Sequence, residues 1–139
     1  MRNIIAITTT GTSLLTNTNN FYNRKYKNLL DIPDREIREF IKTRKKENKQ
    51  YTISAEINSV LQLKELLEKN KENLVKVHLI LSDTPEVKKE IPFLKEFFNS
   101  IKLEVDHSIV KGLKYKESQF KMTGLRELII TLSKPAFIT

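Results

Sequence analysis

Cysteine and tryptophan are absent from the 139 residues. The lack of cysteine excludes disulfides and thiolate metal sites. Histidine occurs twice, as His78 and His107, and this spacing does not make a metal-ligand pair; no metal and no cofactor are expected. His78 lies inside an apolar run and reads as a core or surface-facing strand residue, His107 near a strand end. Only three glycines are present. Neither G-x-G-x-x-G nor G-x-x-x-x-G-K-[ST] occurs, which argues against dinucleotide and P-loop chemistry. No apolar stretch approaches the roughly 20 residues that span a bilayer. The N-terminal "MRNIIAITTT" turns polar too soon for a signal peptide, so a cytoplasmic location is the expectation.

Hydrophobic residues make up 39% and charged residues 30%, the balance of a folded globular chain. The length suits one domain, residues 1–139. Net charge is +8, which favours an anionic partner. Much of that excess sits in "KTRKKENK" (Lys42–Lys49), which reads as the solvated end of a helix. The later lysines in "VKGLKYKESQFK" are the more telling ones.

Strands and helices alternate along the chain. Asn3 to Thr9 is a short apolar strand of the kind buried in parallel sheets. "NTNNFYNRKYK" (Asn17–Lys27) has no clear period and reads as a loop or an irregular start. A helix follows Pro33, with Ile37, Phe40, Ile41 and Arg44 on helical spacing. Ser54 caps another, whose apolar face is Ile57, Val60, Leu61 and Leu67. "LVKVHLILSD" is a strand. Thr84 then caps a helix opened by Pro85, with Ile91, Leu94 and Phe98 inward and Pro92 expected to kink or split it. "IKLEVDHSIV" alternates as a strand, with Ile101, Leu103 and Val105 on one side. A last helix is expected from Gln119, carrying Leu125, Leu128, Ile129 and Leu132. Such alternation implies an α/β, Rossmann-like fold: a mainly parallel sheet with helices on both faces, in a single domain.

In open parallel sheets, ligands bind beyond the carboxyl ends of the strands. The loops expected there are Thr9–Asn17, Ser82–Pro85 and Val110–Ser118. The first is dense in hydroxyls: "TTTGTSLLTN" holds six Ser or Thr and one Gly. Gly11 and Gly112 lie in these loops, where glycine permits close ligand approach and positive φ; Gly124 interrupts the last helical pattern. Hydroxyls and free N–H groups beside a helix start suit a phosphate. "SDT" before Pro85 equally suits plain helix capping.

Taken together, "ITTTGTSLLTN", "SAEINSV", "LILSDTPE" and "VKGLKYKESQFKMTGLRELI" resemble, in order and spacing, the CARF domain. This is the CRISPR-associated Rossmann fold of type III CRISPR effectors and stand-alone ring nucleases. The resemblance runs from Ile4 to about Leu132; Thr18 to Gln50 carries none of it. It implies a homodimer binding one cyclic oligoadenylate (tetra- or hexa-adenylate) across the two-fold axis. The ligand-binding residues it implies are Thr10, Gly11, Thr12, Ser13 and Asn17, then Ser82, Asp83 and Thr84, then Lys111, Gly112 and Leu113. Asn17 is one candidate for reading adenine; Lys111, Lys114, Lys116 and Lys121 supply positive charge.

In the ring nucleases the reaction is metal-independent, a ribose 2′-OH attacking the adjacent phosphate to leave di-adenylate with a 2′,3′-cyclic phosphate. Ser13 would hold the scissile phosphate or the ribose, and Lys114 would stabilise developing charge. No strong general base is in view, so slow turnover is expected. The family's effector module is not expected in residues 1–139. The chain is therefore read as a ring nuclease, or as a non-catalytic sensor domain of a longer effector. A basic nucleic-acid-binding protein is a third reading. It leaves the Thr10–Ser13 stretch unexplained, and neither stable DNA binding nor membrane association is expected from this chain.

Overall fold

The computed structural model describes residues 2–110 and the strand 136–138. The strands are the largely apolar β1 (Asn3–Thr10) and β2 (Asn73–Ser82), the alternating β3 (Glu104–Val110) and the short β4 (Ala136–Ile138). They make one sheet in the order β3-β2-β1-β4, with every neighbouring pair parallel. Parallel neighbours require crossover connections. Between β1 and β2 the chain builds α1 (Ser13–Phe21), α2 (Asp34–Lys46) and α3 (Ala55–Lys69); between β2 and β3 it builds α4 (Pro85–Ser100). Single 3-10 turns at Leu29–Asp31 and Gln50–Thr52 precede α2 and α3. The α/β, Rossmann-like architecture expected from the alternation is thus present.

The four helices share one core with alternate residues of the sheet. Ile4 and Ala6 of β1 and Val77, Leu79 and Leu81 of β2 join Leu14, Leu15, Ile37, Phe40, Ile57, Val60, Leu94 and Phe98 in a single buried cluster. Ile7 and Ile80 are buried as well but lie outside that cluster. Burial of neighbouring strand residues on both faces is why these strands read as continuous apolar runs instead of alternating ones. The helix expected from Gln119 falls outside the described residues. No described helix is long and apolar enough to cross a membrane.

Two local expectations are corrected. Asn17 to Phe21 belong to α1, not to a loop. Leu14, Leu15 and Thr18 anchor that helix from its buried side. Asn19 then closes the following turn, its side chain donating to Tyr26 O at 2.8 Å and accepting from Tyr26 N at 3.0 Å. Asn23 and Arg24, both at positive φ, end the helix. Pro92 does not split α4, which runs through it. Its ring is on the exposed side, so water can satisfy the carbonyl it orphans. Val87, Leu94, Phe97 and Phe98 meanwhile hold both halves against the core.

The expected caps are in place. The Ser54 hydroxyl accepts from Ile57 N at 3.1 Å, and Thr84 Oγ1 accepts from Val87 N at 3.4 Å. Ser54 is buried, so water cannot replace its bond. Ser54→Ala should lower the unfolding free energy by about 1 kcal/mol, read from the shift in urea midpoint. An unchanged midpoint would show that the cap contributes nothing.

Candidate functional site

Strand register brings the predicted loops to one edge. Thr10, the last residue of β1, lies opposite Leu81, and Ser82 lies opposite Val110. The carboxyl ends of β1, β2 and β3 are therefore level. The chain steps from β1 to β2 and β3 on one side, and β4 adds to the other side of β1. The carboxyl end of β1 is thus the switch point at which such sheets bind ligands. The Thr10-Gly11-Thr12-Ser13 stretch sits there, turning directly into α1.

Two residues of this turn are tied to the start of α3 by three hydrogen bonds. Gly11 N donates to Glu56 Oε2 at 3.1 Å, and the Ser13 hydroxyl donates to Glu56 Oε1 at 3.3 Å. Ser13 Oγ in turn accepts from Ala55 N at 2.9 Å. Glu56 stands in the first turn of α3, where the helix dipole favours a negative charge. Thr8, Thr9, Gly11, Ala55, Glu56 and Ser59 line a recess of about 290 Å³ beside these contacts. A side chain at Gly11 would meet no atom within 4 Å, and its φ is not positive. Glycine there leaves the mouth of the recess open; the positive-φ role expected for it is not used.

A second carboxyl group holds the next turn. Leu15 N donates to Glu90 Oε2 at 3.1 Å. Glu90 is fully buried, and its Oε1 has no hydrogen-bond partner among the described residues. Burial pushes its carboxyl up to about 9, with the nearby Glu56 charge adding to the rise and the Leu15 N–H opposing it. At neutral pH Glu90 is therefore the protonated acid. Thr10 Oγ1, on the same buried side of the turn, is also without a partner among the described residues.

The expectation of an open phosphate cradle at the start of α1 is corrected by these contacts. Two of the N–H groups that would meet an anion, those of Gly11 and Leu15, are occupied by protein carboxyl groups. The Thr12 side chain makes no capping bond and is left available. Neither Glu56 nor Glu90 was singled out from the sequence. Glu90 had a signal: it falls on the apolar spacing of Val87, Leu94 and Phe98, where an acid must find a buried partner.

The second predicted loop lies at the neighbouring strand end. Ser82 Oγ and Thr84 Oγ1 are 3.4 Å apart, Thr84 caps α4, and Asp83 pairs with Lys88. Asn17 is on α1, but its amide donates to Ile53 O at 3.1 Å and to Thr52 O at 3.4 Å. Both bonds tie α1 to the backbone just before α3. Lys111, Gly112, Leu113 and Lys114, with Lys116 and Lys121, lie outside the described residues.

The histidines stay away from this edge. His78 pairs across the sheet with Ile7 and Asp106, well before the strand end. Its Nε2 is 2.9 Å from Ser108 Oγ, and burial holds its pKa below the ordinary value. Lys76 pairs with Asp106 beside it, holding that carboxyl low. His107 is exposed.

Among curated proteins, none matches the chain. Residues 51–136 match the family described as CRISPR-associated protein (Cas_APE2256). The matched span takes in Ser54, Glu56, the Ser82–Thr84 loop and Glu90, and leaves Thr10–Ser13 outside it. It covers well over half of the 139 residues, and the chain belongs to this CRISPR-associated family.

Proposed function

We propose that this CRISPR-associated protein binds a cyclic oligoadenylate at a homodimer interface and opens the ring as a ring nuclease. One observation carries the reading: the Thr10–Ser13 turn leaves the sheet at its switch point, level with Ser82–Thr84 and beside an open recess. A tetra- or hexa-adenylate ring has two-fold symmetry, so two copies of this edge suit it. Thr12 and the Ser82–Thr84 loop offer hydroxyls to its phosphates, and the lysines after Val110 offer charge. Opening by an in-line 2′-OH attack asks chiefly for positioning and charge neutralisation. In this reading Ser13 would hold the ribose, and Lys114 is the proposed charge stabiliser.

The test is incubation of the purified protein with cyclic tetra- and hexa-adenylate in EDTA, with products followed by chromatography and mass spectrometry. Linear products bearing a 2′,3′-cyclic phosphate are expected, and Ser13→Ala should slow their formation at least about 100-fold. Tight binding with the ring intact would replace this reading with that of a non-catalytic sensor domain. If neither ring binds, the proposal falls.

A further inference from the structure

Hydrogen-bond valence at Ser13 decides which part of such a ligand it can hold. A serine hydroxyl has one proton to give and two lone pairs. Its proton is committed to Glu56 Oε1, and one lone pair already accepts from Ala55 N. One acceptor position remains. Glu56 can only accept: each of its oxygens takes one bond here, from Gly11 N and Ser13 Oγ, and retains further lone pairs. Glu56 in the wall of the recess and Ser13 bonded to it thus offer acceptors and a negative charge. A phosphate oxygen there would meet like charge with no donor to offset it.

We infer that Ser13 and Glu56 read the ribose 2′-hydroxyl of the ring, with Glu56 acting through Ser13 as a positioning residue and proton acceptor. The inference rests on the ring-binding reading above and adds the general base that the sequence did not reveal. Adenine also carries donors, in its exocyclic amine. An amine, however, does not surrender its proton at neutral pH, whereas the attacking 2′-OH must.

In the step, the 2′-OH gives its proton to Ser13 Oγ as Ser13 passes its own to the Glu56 carboxylate. The 2′ oxygen forms a bond to phosphorus and the P–O5′ bond breaks. The departing 5′ oxygen takes a proton from water, and Glu56 returns its proton to solvent. Ser13 is half-buried, and its partner Glu56 is buried beside it in the wall of the recess. That arrangement strengthens a charge-assisted chain of hydrogen bonds.

A cyclic tetra-adenylate with 2′-fluorine in place of each 2′-hydroxyl tests this. Fluorine is small and keeps the ribose pucker but donates no proton. The wild-type protein should bind the natural ring at least about tenfold more tightly than the fluoro ring. Ser13→Ala should bind the two rings within about twofold of each other, and Ser13→Thr should restore the preference. Glu56→Gln should cut kcat for the natural ring about 100-fold or more while KM changes far less; Ser13→Ala supplies the binding test if that variant does not fold. Equal binding of the two rings by the wild type, or a preference retained in Ser13→Ala, overturns this inference alone. Failure of the natural ring to bind overturns the proposed function with it.

Discussion

Replacing Glu90 by Gln should flatten the pH dependence of stability and raise stability at neutral and alkaline pH. In the folded protein burial holds the Glu90 carboxyl up at about 9, whereas an unfolded glutamic acid titrates near 4.3. Below the unfolded value both states are protonated and the group costs nothing. Between the two values the folded state holds a proton that the unfolded state has released. Stability therefore falls as pH rises, by about 1.4 kcal/mol per pH unit. The loss accumulates to roughly 4 kcal/mol by pH 7 and ends once the folded group ionises near 9. Glutamine keeps the shape and an oxygen to accept from Leu15 N, yet does not titrate. Urea unfolding at intervals from pH 5 to 9 should show the wild-type midpoint falling and the Glu90→Gln midpoint holding. Parallel curves would mean that Glu90 is ionised in the fold. The same buried acid ties α4 to the first turn of α1, so the position of Ser13 depends on it.

Phe40→Ala should be the most damaging single truncation in α2. Phe40 is fully buried, with its ring 5.3 Å from that of Phe21 on α1. The Arg44 guanidinium lies 5.3 Å from the Phe40 ring and 5.5 Å from Phe21, and Arg44 Nε has no hydrogen-bond partner among the described residues. Removing the ring leaves a cavity and takes from Arg44 much of the aromatic surface it stacks on. A loss of about 3–5 kcal/mol is expected, a large part of the 5–15 kcal/mol typical of a whole domain. Denaturant midpoint should fall at unchanged slope, and amide exchange in α1 should accelerate more than in the sheet. A loss below about 1 kcal/mol would show that Phe21 and Arg44 collapse into the space.

Much of the fold was legible because its signals are local. The strands announce themselves as apolar runs, and Ser54 and Thr84 sit where helix starts need an acceptor. Two readings failed where a distant contact outweighed the local pattern. Asn17–Phe21 looked like a loop because its polar residues mask the anchors Leu14, Leu15 and Thr18, which hold the helix to the core. Pro92 looked like a break because its missing N–H is visible in sequence. The exposure of its ring and the burial of Phe93, Leu94, Phe97 and Phe98 are not.

The hydroxyl-rich turn after β1, its place at the carboxyl edge and the company of the Ser82–Thr84 loop follow from the sequence by itself. They depend on strand order and caps, which periodicity and residue type encode. Only the tertiary structure decided what the turn's donors face. Gly11 meets a carboxyl group 45 residues away and Leu15 one 75 residues away. Such pairings are set by how α3 and α4 pack against the sheet, and no local pattern carries them. Burial then fixes their chemistry, keeping Glu90 protonated and committing the Ser13 proton to Glu56. A stretch that reads as a phosphate cradle in one dimension becomes, in three, a turn whose donors at Gly11, Ser13 and Leu15 are already taken by protein carboxyl groups.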